Sequence, residues 1–323
     1  MPTTPGPAPQ IGPAGLGTPN LLRPRNVVAD TGKVHVGHQI NVRQRLPNDI
    51  AWIFGLSCTA YTVVSLLDRG FGVDAHAYWL SWRGPMYTTQ PGTPDAYLYS
   101  PAFAQLIWPL AQLPWPAFAA IVIIVMAALH AWLLRPLPKR WAIPFWLAGL
   151  PEITSGNIFI AMAAVAVLGF RFPAMWAFPA LTKIAPTVGP LWFLARREWR
   201  PFAWSLAGTV VIAVVSFVLS PALWREWYDF LTQHLVESTG PIGSPFMPPA
   251  ILRFPVGVAL VIWGAIRDKR WTIPIAMLLC TPVLWLGSLT LLAAIPRLRL
   301  SQGLPPLPRR RERESRTVSA PVD

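Results

Sequence analysis

From Ile50 to about Ile295, apolar runs of membrane-spanning or near-spanning length follow one another more closely than a water-soluble fold can tolerate. Candidate membrane helices occupy Ile50–Leu67, Pro116–Leu134, Trp141–Pro151, Ile158–Phe170, Pro201–Leu219, Ala250–Ile266, Trp271–Pro282 and Leu284–Ile295. Several are shorter than the roughly 20 residues that a perpendicular span requires. Charged residues make up only 13% of the chain, against about a quarter in soluble domains. The pattern predicts an all-α polytopic membrane protein of about eight spans. The net charge of +13 would point a soluble protein toward nucleic acid. Here basic residues report first on topology, and no nucleic-acid partner is expected.

Two further apolar segments stand apart. "PAFAQLIWPLAQLP" (Pro101–Pro114) is short and bounded by prolines, and reads as an interfacial or partly inserted helix. "PAMWAFPALTKIAPTVGPLWFLA" (Pro173–Ala195) is long enough to cross once, but Lys183 and Pro186 interrupt its centre. If it is a re-entrant hairpin of two half-helices with both termini cytoplasmic, 22 of the 27 Lys and Arg fall on the cytoplasmic side. A single crossing would invert the later loops and put the basic C-terminal tail outside, against the positive-inside rule. The expected organisation is a disordered cytoplasmic tail over 1–45, a membrane domain over 46–300 with outer loops 68–100 and 220–249, and a basic cytoplasmic tail over 301–323. The first 45 residues lack the apolar core of a signal peptide. Cys58 and Cys280, both in apolar runs, read as packing residues.

The polar residues left on the outer side are few, and ionisable groups near a membrane mark sites. In "GFGVDAHAYWLSWRG", Asp74 follows the first span, with His76 and Tyr78 close behind. A carboxylate there suits a general base that takes a proton from an attacking hydroxyl. It equally suits the N-cap of a short interfacial helix. Tyr87 and Tyr99, in a loop rich in Gly and Pro, suit either sugar stacking or anchoring at headgroups. "PEITSGNIF" is a tight outer turn offering Glu152 and Asn157, as caps or as substrate contacts. Lys183 is the sharpest signal, because a lysine inside an apolar stretch costs roughly 3 kcal/mol unless it reaches water or an anion. It either snorkels to the interface or holds a lipid phosphate. "SPALWREWYDFLTQHLVES" has the pattern of an amphipathic interfacial helix. Its Arg225, together with Arg253 beyond it, could serve a phosphate or simply be solvated. There is no metal-ligand spacing and no nucleotide-phosphate loop, so no cofactor is expected.

Taken in order, "VDAHAYW", "GPMY", "YLYSPAFAQLIWPLAQLP", "SGNIFIAMAAVAVL", "PALTKIAP", "PLWFLARREWR" and "CTPVLW" resemble the succession of short patterns in glycosyltransferase family 87. These are DUF2029-like integral membrane glycosyltransferases that use polyprenyl-phosphate sugars, and the resemblance covers most of residues 70–295. It implies a GT-C-like fold in the plasma membrane with its site on the extracytoplasmic side. It also implies a polyprenyl-phosphate sugar as donor, with mannose or arabinose transferred to an envelope glycolipid or glycan. The family's catalytic base maps to Asp74, its phosphate-side lysine to Lys183 and its Gly-Gln position to Asn157. The chain departs from the pattern at Asn157, where Gln is common, and at Leu286 and Gly287, where a histidine is common. On that resemblance, Arg225 and Arg253 are expected to assist Lys183 at the phosphate. His76, Tyr78, Tyr87, Tyr99, Asn157 and Glu152 are expected to hold sugar or acceptor. A lipid-linked-sugar transporter and a non-catalytic envelope-assembly protein are the competing readings.

Overall fold

A computed structural model describes residues 42–238 and 248–307. The expected N-terminal tail up to residue 41, part of the second outer loop and the basic tail beyond residue 307 lie outside the described residues. Helix is the only regular secondary structure among the described residues, with no strand among them. In chain order the helices are α1 (Val42–Arg69), α2 (Val73–Leu80), α3 (Pro101–Ala111), α4 (Trp115–Leu134), α5 (Lys139–Ala148), α6 (Leu150–Ser155) and α7 (Phe159–Leu168). They continue as α8 (Ala177–Thr182), α9 (Gly189–Ala195), α10 (Trp199–Leu219), α11 (Pro221–Ser238), α12 (Ala250–Ile266), α13 (Thr272–Cys280) and α14 (Ile295–Ser301). Two 3₁₀ segments, Pro173–Trp176 and Leu286–Ala294, join α7 to α8 and α13 to α14.

Three helices are long and apolar enough to cross a membrane: Pro47–Arg69, Trp115–Leu134 and Trp199–Leu219. The other expected spans are shorter or broken. The run Trp141–Pro151 breaks at Gly149, and α5 and α6 meet there. The last run is 3₁₀ over Leu286–Ala294 before α14 begins. The interrupted segment forms two short helical halves, and the residues between α8 and α9 carry Lys183 and Pro186. Both halves pack on α10.

At the centre lies α7, ten residues without a charge, whose Phe159 to Ala166 face is buried on nearly every side. A helix that is apolar all round belongs in an interior, and α7 packs against α4, α8 and the 3₁₀ segment Leu286–Ala294. Both cysteines are buried and free, and Cys280 lies against the bare backbone of Gly257 where α12 meets α13.

The two ends of the bundle differ in chemistry. The start of α4 lies beside α2, where the Trp115 ring covers Gly72. Its other end lies beside α14, where Arg297 donates to the Trp132 carbonyl at 2.6 Å. A helix of 20 residues separates these ends by about 30 Å. The far end gathers basic residues, and the near end holds the acidic and amide groups described next.

Candidate functional site

Asp74 reaches the site through two left-handed glycines. Gly72 (φ 75°) occupies the N-cap position of α2, and its N–H donates to the Thr154 carbonyl at 2.7 Å. Any Cβ at Gly72 would fall 2.7 Å from the Trp115 ring, so only glycine lets α2 start here. Of the two readings of Asp74, the helix cap is not the one seen: Gly72 holds the N-cap position and Asp74 sits in the first turn of α2. Gly156 (φ 72°) ends α6, and a Cβ there would lie 2.6 Å from the Ala75 methyl. That close approach sets the first turn of α2 against the turn Ser155–Asn157.

The Asp74 carboxylate meets the Asn157 amide, lies beside Ser155, whose hydroxyl donates to the Glu152 carbonyl at 3.1 Å, and faces the Lys183 ammonium. Burial pushes its pKa above the usual carboxylate range, more strongly than Lys183, Ser155 and Asn157 pull it down. Asn157 is the joint of the cluster. Its Oδ1 accepts from the Ile158 N–H at 2.7 Å and from Lys183 Nζ at 3.1 Å, which leaves its NH₂ for Asp74. One buried amide thus faces a carboxylate with its donors and an ammonium with its acceptor.

Lys183 is the first residue after α8, with Nζ 3.8 Å from the centre of the Phe159 ring. Cation–π attraction and the Asn157 oxygen keep it from the snorkelled pose that a lone interfacial lysine adopts. Its backbone is tied down from the neighbouring motif: the Ser100 hydroxyl, fully buried in "YSP", donates to the carbonyl of Leu181. Behind Lys183 stands Glu152, with no exposed surface, its Oε1 accepting the Phe159 N–H at 2.8 Å. Glu152 Oε2 is buried without a hydrogen-bond partner.

These groups border a cavity of about 560 Å³, lined by Asp74, Tyr99, Ser155, Asn157, Phe159 and Lys183 among others. One wall is the turn after α13, with Thr281, Pro282, Val283 and Trp285, and another is the α1 face bearing Tyr61, Thr62 and Leu66. Pro91, Gly92, Thr93 and Ala96 from the first outer loop also line it.

Of the other residues expected at the site, Tyr99 lines the cavity and Tyr78 supports it. The Tyr78 and Tyr99 hydroxyls lie 3.1 Å apart, and burial pushes both phenols up, so they act as neutral hydrogen-bonding groups. Tyr87 lies outside the lining and donates to the Tyr99 carbonyl at 2.9 Å. His76 is turned away, with Nδ1 2.7 Å from Asp95 and its ring stacked against Trp79. Arg225 is exposed on α11 and does not line the cavity. Arg253 is buried and gives its N–H groups to four backbone carbonyls, those of Pro248, Leu279, Thr281 and Pro282, at 2.8–2.9 Å. It is a clamp on the cavity wall, with most of its donors already used. Sequence reasoning passed over Ser155, Ser100, Thr281 and Trp285. Among the described residues no group of His, Cys, Asp and Glu is arranged to hold a metal ion.

The model of glycosyltransferase family 87 matches residues 97–309, about two thirds of the chain. The chain belongs to glycosyltransferase family 87. No curated protein and no solved structure matches it. The family segment contains Tyr99, Glu152, Asn157 and Lys183, whereas Asp74 lies before it. In this membrane glycosyltransferase, Asp74 is joined to the family segment by the contacts to Ser155, Asn157 and Lys183.

Proposed function

We propose that this family 87 protein transfers a sugar from a polyprenyl-phosphate donor to an envelope glycolipid or glycan, with inversion, on the extracytoplasmic side of the plasma membrane. One observation carries the reading: a partly buried carboxylate and an ammonium border one cavity and are bridged by a single amide. Asp74 takes the proton from an acceptor hydroxyl as that oxygen bonds to the anomeric carbon. The bond from that carbon to the phosphate oxygen breaks, and its electron pair leaves with the polyprenyl phosphate. Lys183 balances the charge that grows on the phosphate, and a fixed cation in a water-poor site is worth more there than in bulk. The raised pKa of Asp74 favours this role, since a stronger base accepts the hydroxyl proton more readily.

The exposed side chains at the cavity mouth support a lipid-borne donor. Tyr61, Ile184 and Val283 line it and are 48%, 59% and 39% exposed, an apolar rim suited to a polyprenyl chain. The far basic end, with Arg135, Lys139, Arg140, Arg267 and Lys269, fits the cytoplasmic leaflet, which leaves the cavity facing outward. The test uses full-length protein in lipid nanodiscs, supplied with polyprenyl-phosphate mannose or arabinose and an envelope glycolipid acceptor. Wild-type protein should transfer sugar and Asp74→Asn should not, while remaining folded. Full transfer by Asp74→Asn would remove the base from the mechanism.

A further inference from the structure

We propose that Trp285 is the platform on which the donor's sugar ring lies, and so the residue that sets how tightly the sugar, as distinct from the lipid phosphate, is held. The inference rests on the donor reading above and adds a sugar-binding residue to it.

Four observations converge. Trp285 lines the cavity that Asp74 and Lys183 border. Its position beside the charged cluster is fixed by Gly287: a side chain there would overlap both Glu152 Oε2 and the six-membered ring of Trp285. The indole therefore lies next to the carboxylate that backs Lys183, at the phosphate end of the cavity, and a larger residue at 287 would displace it. The backbone beneath the indole is rigid. Ser288 Oγ donates to the Trp285 carbonyl at 2.6 Å and accepts the Trp285 N–H at 3.3 Å. Arg253 locks the preceding turn through Thr281 and Pro282.

The ring is also partly open where it lines the cavity. The Trp285 side chain packs against the apolar core on one side and is only half-buried. A half-exposed, backbone-fixed aromatic ring beside an anion-binding lysine offers an apolar face to the C–H side of a sugar while the sugar's phosphate meets Lys183. Membrane anchoring, the usual occupation of interfacial tryptophan, does not call for a place in the cavity wall or a glycine cut out beside it.

The experiment measures binding without acceptor, so that turnover does not enter. Full-length wild type, Trp285→Ala and Trp285→Phe in nanodiscs are titrated with polyprenyl-phosphate mannose, polyprenyl-phosphate arabinose and sugar-free polyprenyl phosphate. Trp285→Ala should weaken binding of at least one glycosylated lipid by about twofold to tenfold and leave the sugar-free lipid unchanged. Trp285→Phe, which keeps a ring face, should stay close to wild type. Equal weakening of all three lipids would show a structural role and overturn the proposal, as would no weakening at all. Loss of sugar discrimination in Trp285→Phe equal to that in Trp285→Ala would also overturn it. If wild-type protein bound none of the lipids, the donor reading itself would fall and the platform with it, an outcome distinct from a wild type that binds and a Trp285→Ala that is unaffected.

Discussion

Replacing Asn157 by Asp tests the joint of the site by exchanging one NH₂ for an oxygen with almost no change of shape. Asn157 is 4% exposed, and its Oδ1 already accepts from Ile158 and Lys183. Asp keeps that acceptor but puts an oxygen where the NH₂ met Asp74. Hydrogen bonds to charged groups contribute about 1.5–3 kcal/mol, and 1.36 kcal/mol is one power of ten. The lost bond alone should cost Asp74 one to two powers of ten, roughly, in its ability to act as an oriented base. The second carboxylate has a further effect, because a like charge raises the Asp74 pKa beyond the rise that burial already causes. The base is then protonated over a wider range, so the acid limb of the pH–rate profile should move to higher pH as kcat falls. Asn157→Gln keeps both donor and acceptor and should retain much more activity. The assay is kcat against pH for wild type and both variants in nanodiscs. An Asn157→Asp enzyme with wild-type kcat and an unmoved acid limb would refute the bridging role.

The membrane class and most helix positions were legible because apolar length is a property of the chain itself: Ala250–Ile266 coincides with α12, and Pro116–Leu134 differs from α4 by one residue. Lys183 was legible for the same reason, since a cation inside an apolar stretch needs a partner wherever the chain folds. The environment of His76 was not. Residues two apart on a helix point about 200° from one another, so once Asp74 faces Ser155 and Lys183, His76 must face the other way, toward Trp79, Trp115 and Asp95. Tyr78, four residues on, shares the Asp74 face and meets Tyr99. Choosing between those faces required knowing that Gly156 abuts Ala75, a contact 81 positions apart in the chain. Arg253 was misplaced because three of its four carbonyls lie 26–29 residues away. No local pattern separates an arginine awaiting phosphate from one already bound to backbone. Ser155 and Trp285 were hidden by their ordinariness, a serine in a turn and a tryptophan near an interface.

Ser100→Ala removes the hydroxyl that holds the Leu181 carbonyl, and with it about 1 kcal/mol of stability. Transfer should fall by more than the small loss in thermal midpoint suggests, because Lys183 follows directly on that turn; equal activity would show that Lys183 is placed by other contacts. Gly156→Ala imposes both an unfavourable backbone at φ 72° and an overlap with Ala75, together about 2–4 kcal/mol. It should lower the melting midpoint by several degrees in detergent, and an unchanged midpoint would contradict the close α2–α6 approach. Arg225→Ala should leave kcat and KM unchanged, since Arg225 is exposed and outside the cavity lining; a large rise in donor KM would return it to the phosphate site. Asp74→Asn should separate activity from stability. The folded pKa of Asp74 lies above the free value, so over the intervening pH range the unfolded chain holds fewer protons than the folded one. Ionisation therefore opposes folding: the penalty is absent below the free carboxyl pKa of about 3.9 and complete once pH passes the folded value. Melting Asp74→Asn beside wild type across that range should show the variant gaining relative stability as pH rises, while its transfer activity is lost. A variant that instead loses relative stability toward neutral pH would mean that the contacts to Lys183, Ser155 and Asn157 outweigh the burial of the carboxylate.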